Sequence, residues 1–156
     1  MEGNTRVFIR MLARAYRYED AEQEIISQAL LEITNTIVWD VMFDLMKDNE
    51  IHKKLIESMV EDMGINLDEF KEYSTRNIEI KSFNFSDDLA IEILSELLKY
   101  EFWAKNYYEH MVNLADLMIS HEMSDDIIRN VKTTLENLVE WENTHIKKIR
   151  ETMQKI

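Results

Sequence analysis

Apolar residues recur along the chain at helical spacing, and each interruption of that rhythm marks a predicted boundary. A short amphipathic helix is expected over about residues 5–18, and a long one over about 20–47 through "AEQEIISQALLEITNTIVWDVMFDLMK". The polar run "KDNE" reads as a break, with Asp48 or Asn49 as N-cap of "EIHKKLIESMVEDM" and Gly64 as the C-cap that ends it. Residues 65–85 are the least regular part, with a helical turn around Leu67–Tyr73 and then an extended connection. Ser86, Asp87 and Asp88 are expected to cap a long helix reaching about Ile119. After a turn at "SHEMSDD", Ser124 caps a last helix that runs close to Ile156.

The predicted fold is therefore all-α. Two antiparallel hairpins joined by a crossover make a four-helix bundle, with a short additional helix at the N-terminus. The expected division of one domain, 1–156, is an N-terminal helix over 1–19, a first hairpin over 20–64, a crossover over 65–85 and a second hairpin over 86–156. Composition agrees: there is no proline and there are only 2 glycines, which permits long helices and argues against a loop-rich β protein.

Charge and residue usage exclude several function classes. With no cysteine there are no disulfides, thiolate metal sites or cysteine nucleophiles. No apolar run is long enough to span a membrane, and the first residues lack the pattern of a secretory signal, so a cytoplasmic location is the default expectation. The net charge of −13 argues against general nucleic-acid binding. Arg6, Arg10, Arg14 and Arg17 form a basic stripe on the first helix. Its plainest reading is a solvated face, or pairing with an acidic neighbour in an oligomer, rather than a phosphate site. No Gly-rich phosphate loop, nucleophile elbow or His-Glu-x-x-His zinc pattern occurs.

The chemistry lies in carboxylates on apolar stripes. In "NLVEWENTHIKKIRETM", Glu142 shares a side with Leu138, Ile146 and Ile149, and His145 follows three residues later. On the preceding helix Glu101 falls at the centre of the stripe made by Leu94, Leu97, Ala104, Tyr108, Met111 and Ala115. Glu101 and Glu142 stand at similar distances from the turn between their helices, so they are expected to face each other. Side chains at i and i+3 point the same way, so Glu142 and His145 can offer an oxygen and a nitrogen to one metal. Glu32 and Trp39 repeat the spacing of Glu101 and Tyr108, and Glu61 or Asp62 stands where a matching Glu-x-x-His would begin, but no histidine follows. Glu22, Asp40, Asp44 and His52 are other inward polar residues and alternative ligands. The register argument prefers Glu32 with Glu61 or Asp62 over His52.

On Glu101, Tyr108, Glu142 and His145, over roughly residues 21–153, the chain resembles the ferritin-like superfamily, and its rubrerythrin-like branch in particular. The resemblance implies a ferritin-like bundle with one or two Fe or Mn ions held by Glu101, Glu142, His145, Glu32 and Glu61, with Tyr108 beside them. It also implies an oxidase, peroxidase or iron-handling activity, with electrons from a donor protein or from the substrate because there is no cysteine for a rubredoxin-type centre. The competing expectation is a metal-free helical bundle, a homo-oligomeric (dimeric) or partner-binding module, in which Glu101, Glu142 and His145 form a hydrogen-bonded network that fixes helix register.

Overall fold

The computed structural model describes residues 3–75 and 86–156. Four long helices dominate: α1 Gly3–Glu32, α2 Thr36–Asp62, then, after the short α3 Leu67–Ser74, α4 Ala90–Ile119 and α5 Asp125–Met153. A single 3-10 turn, Asp87–Leu89, leads into α4, and no strand occurs among the described residues. The extended connection expected after Tyr73 falls largely at 76–85, outside the described residues. No described helix is long and apolar enough to cross a membrane.

Each long helix carries a buried seam with steps of three and four residues. On α1 it is Phe8, Leu12, Ala15, Glu19, Glu22, Ile26 and Ala29. On α2 it is Val38, Met42, Leu45, Asn49, His52, Ile56 and Met59. On α4 it is Leu94, Leu97, Glu101, Ala104, Tyr108, Met111 and Ala115, and on α5 Val131, Leu135, Leu138, Glu142, His145, Ile149 and Thr152. A mean step near 3.5 keeps one face of each helix turned to its neighbours, as in bundles packed side by side.

These seams correct two expected boundaries. There is no break between the predicted N-terminal helix and its successor, because Glu19 and Glu22 continue the seam of Phe8 and Leu12 into that of Ile26 and Ala29. Nor does "KDNE" break α2, because Asn49 sits inside the seam and is fully buried. The turn of the first hairpin is instead at Ile33–Asn35, where Asn35 caps α2 by accepting from the backbone N–H of Ile37 and Val38. Ser124 caps α5 through Ile127 as expected, and Gly64 follows α2 with φ +78°, a conformation glycine adopts without steric cost. Ser86 makes no side-chain cap; Asp87 instead accepts from the backbone N–H of Thr34 and Asn35, tying the start of α4 to the first turn.

Neighbour relations follow from contacts along the helices. α1 packs on α2 and α4, and α5 packs on α4 and α2. The Thr5 hydroxyl donates to the carbonyl of Met118, at the opposite end from the Thr34–Asp87 contact, so α1 and α4 are antiparallel. Asp44 meets Lys148, Asp48 meets His145 and His52 meets Glu142, so α2 and α5 are antiparallel as well. α2 and α4 then run the same way, and the chain between them joins opposite ends of the bundle. α3 closes the side near Tyr16, whose ring meets Phe70 edge-on at 5.6 Å, and Lys71 reaches Glu57 at 2.7 Å.

Candidate metal centre

Apart from Thr152 near the end of α5, the polar members of the four seams gather around the middle of the bundle. α1 contributes Glu19 and Glu22, α2 Asn49 and His52, α4 Glu101 and Tyr108, and α5 Glu142 and His145, all of them buried. Their neighbours along the seams are apolar, including Ile26, Leu45, Leu97 and Leu138, so the charged groups are enclosed above and below by hydrocarbon. Burying a charge in such a setting requires a partner.

Glu142 is at the centre. Its carboxylate oxygens stand 2.9 Å from His52 Nδ1 and 3.6 Å from His145 Nδ1. One donor atom from each of His52, Glu142 and His145 can be chosen so that all lie within 4.8 Å of one another. Donors to a single ion at about 2.1 Å stand about 3–4.3 Å apart, so shifts of a few tenths of an ångström would bring the trio into one coordination sphere. Each histidine has a further acid. His52 Nδ1 is 3.3 Å from Glu19 Oε1, and His145 Nδ1 is 3.1 Å from Glu101 Oε2. The arrangement is two half-sites, Glu19 with His52 and Glu101 with His145, on either side of Glu142.

Surrounding groups orient these side chains. The half-buried carboxylate of Asp48 lies 2.8 Å from His145 Nε2, which turns Nδ1 toward the centre. Such an outer carboxylate fixes ring orientation and raises the basicity of a ligating imidazole. The Tyr108 hydroxyl donates to Glu19 Oε1 at 2.8 Å. Oriented so that both its amide atoms are satisfied, Asn49 donates to Glu19 Oε2 and to the Leu45 carbonyl, each at 3.2 Å. The His52 ring lies edge-on to Trp141 at 4.9 Å.

The electrostatics are strained. Burial, then the charges of Glu19 and Glu142, push the Glu22 carboxyl well above the usual range. Burial also raises Glu19, with the nearby His52 pulling the other way. Burial opposes charge on His52, but the carboxylates of Glu19 and Glu142 prevail and raise its pKa to about 9. His145 is likewise raised, burial being outweighed by Glu142 and Asp48. Glu142 is lowered, because both histidines outweigh its burial. Glu22 Oε1, Glu101 Oε1 and His52 Nε2 are buried with no hydrogen-bond partner among the described residues, while the two oxygens of Glu142 face the imidazoles of His52 and His145.

The structure brings together Glu101, Glu142 and His145, and reaches Tyr108 through Glu19. It does not bring Glu32 or Glu61 to them. Glu32 is exposed at the end of α1, and Glu61 is exposed near the end of α2, beside Lys54 and Lys71 on a surface cleft. The preference for them over His52 counted α2 from residue 48; because α2 starts at Thr36, His52 is about 24 Å along the helix, at the level of Glu142. Asp44 pairs with Lys148 and Lys47, Asp40 is exposed, and Trp39 donates to the Leu30 carbonyl, all away from the centre. Glu19, Asn49 and Asp48 had no ligand or orienting role in the sequence reading. Continuing the 3–4 seam through the polar residues finds the first two.

Neither a protein-family model, nor a curated protein, nor a solved structure matches this chain.

Proposed function

We propose that this chain is a metal-binding helical bundle of the ferritin-like kind, its centre holding one or two Fe or Mn ions between the two hairpins. The observation that carries the reading is the gathering of four buried carboxyls around two buried imidazoles, with unpartnered atoms on Glu22, Glu101 and His52. Glu19, Glu22, Glu101 and Glu142 are all buried, and if all four were ionised two negative charges would remain even against two imidazoliums; without an ion, burial relieves this by favouring the protonated forms of Glu19 and Glu22. One divalent ion would cancel that excess, and two would balance all four carboxylates against neutral imidazoles. One oxygen each of Glu22 and Glu101 is available for that purpose, and Glu142 would exchange its contacts with the two imidazoles for the ion. A donor set of carboxylates and imidazoles suits Fe or Mn.

In this reading Glu142 is shared, Glu101 and His145 hold one ion, and Glu19 and His52 hold or receive a second. Asp48 keeps His145 oriented. The ferritin-like assignment is supported by α1 and α5 each lying against α2 and α4, with α2 and α4 running the same way. It is also supported by Glu142-x-x-His145 on α5 facing Asn49-x-x-His52 on α2. Asn49 lacks the charge of a glutamate, so the half-site of the first hairpin binds its ion more weakly. A bound Fe or Mn would supply one-electron chemistry toward oxygen, peroxide or ferrous iron, and the chain's own part is to hold the ion dry and to position Tyr108 against Glu19.

The test is metal content. Protein produced with added iron and manganese and purified without chelator should retain between about one and two ions per chain. Glu142→Gln, which keeps the shape but removes the central charge, should lose most of them. Background metal in the unsubstituted protein would favour a metal-free network that fixes helix register, and full retention in Glu142→Gln would place the ions away from this centre.

A further inference from the structure

Behind the centre, the outer face of α1 carries Arg10, Arg14 and Arg17 along a cleft of about 540 Å³, closed by Tyr18 and Tyr107 with Tyr73 of α3 opposite. That volume lies within the range of small-molecule sites. No carboxylate lines it among the described residues, although the chain has 31 acidic residues against 18 Lys and Arg. Three other clefts of the described surface carry three carboxylates each. Three arginines on one face, of which only Arg17 is paired with acids among the described residues, are on a protein of net charge −13 a local reversal of the field that focuses anions at one place.

The arginines are differently engaged. Arg17 is held by Asp20 at 3.2 Å and lies 3.8 Å from Glu24. Arg10 and Arg14 are exposed and have no ion-pair partner among the described residues. Guanidinium groups present planar forks that match phosphate oxygens two at a time. The wall beside them is aromatic and stacked: Tyr18 lies 3.7 Å from Trp103, and Trp103 lies 4.5 Å from Tyr107, each pair 18° off parallel. Rings packed on one another in this way offer a fixed flat surface for a further ring.

We infer that this cleft binds a small phosphorylated ring compound of the nucleotide class, a nucleoside or flavin monophosphate, with Arg10 and Arg14 on the phosphate and the ring against the outer face of one of the two tyrosines, Tyr18 or Tyr107, that sandwich Trp103. A bare phosphate would leave the aromatic wall unused. A nucleic-acid strand would run from the cleft onto acidic surface, where its backbone is repelled. The inference is independent of the metal reading, since none of the cleft residues belongs to the centre.

The test is titration of the metal-free chain, in chelator-free buffer at low salt, with adenosine monophosphate, flavin mononucleotide, adenosine, inorganic phosphate and a short single-stranded oligonucleotide, followed by calorimetry. Saturable micromolar binding of a mononucleotide is expected, at least about tenfold tighter than adenosine or phosphate alone. The Arg10→Gln/Arg14→Gln double variant, changed only at exposed positions, should weaken it by at least about tenfold. The inference is overturned if neither mononucleotide binds at about 1 mM, if the double variant binds as well as the parent, or if phosphate alone or the oligonucleotide binds as tightly as the mononucleotides.

Discussion

The imidazole rings of His52 and His145 lie 5.4 Å apart, 28° off parallel, one brought by each hairpin of the bundle. Two cationic imidazoles would repel at this distance, and the carboxylates of Glu19, Glu101 and Glu142 between and beside them are what makes the approach tolerable. Because the two hairpins meet through their histidines, the separate contribution of each hairpin is measurable.

The first prediction concerns the histidines. His145→Ala and His52→Ala should each weaken Mn(II) binding by at least about tenfold, a loss near 1.4 kcal/mol. His110→Ala and His121→Ala, at exposed positions, should leave it unchanged. Calorimetric titration of the four variants checks this, and equal affinities would remove both histidines from the centre.

Asn49→Glu should restore the charge that the first hairpin lacks. Without metal, another buried carboxylate is expected to lower stability by about 2–3 kcal/mol. With Mn(II), the variant should bind a second ion at least about tenfold more tightly than the parent does. Titration stoichiometry together with urea denaturation reads both effects, and an unchanged second step would show that Asn49 does not face the ion.

The metal-free protein should lose stability as pH rises from about 6.5 toward 9.5. His52 titrates at about 9 in the fold against 6.5 in the ordinary state. Its contribution is therefore complete below the lower value and disappears as pH climbs through the higher one. The full span of that shift is worth about 3 kcal/mol at most. Glu19 and Glu22, also raised, act in the same direction, whereas the contribution of Glu142, which is lowered, is lost only as pH falls into the acid range. Thermal melting across this pH window checks the slope. With bound Mn(II) in place of the protons the slope should flatten.

Tyr108→Phe keeps the buried ring and removes the hydroxyl that donates to Glu19. Leaving that carboxylate short of a donor should destabilise the metal-free chain by about 1–2 kcal/mol. A denaturation midpoint equal to that of the parent would mean that Asn49 and His52 already satisfy Glu19.

How much of this was legible in the sequence depended on what flanked each polar residue. Glu142 and His145 stand among Leu138, Ile146 and Ile149, and Glu101 among Leu97, Ala104 and Tyr108, so the apolar rhythm carried through them. In the first hairpin the polar seam residues have polar neighbours. "RYEDAEQE" surrounds Glu19 and Glu22, and "KDNEIHKK" surrounds Asn49 and His52. Hydrophobic periodicity fails at such places, and both were read as helix ends. Glu32 follows from repeating the Glu101–Tyr108 spacing at Trp39, and the preference for Glu61 over His52 from counting α2 from residue 48 instead of Thr36. Both breaks in the pattern fall where the chain buries polar side chains that have polar sequence neighbours, Glu19 and Glu22 at one and Asn49 and His52 at the other.

The most direct measurement is anomalous X-ray diffraction at the manganese or iron edge from crystals grown with the ion. The account predicts anomalous density between His52, Glu142 and His145, within about 2–2.3 Å of at least one oxygen of Glu142. Density only at Glu32, Glu61 or another surface carboxylate, with none among the buried histidines, would contradict it.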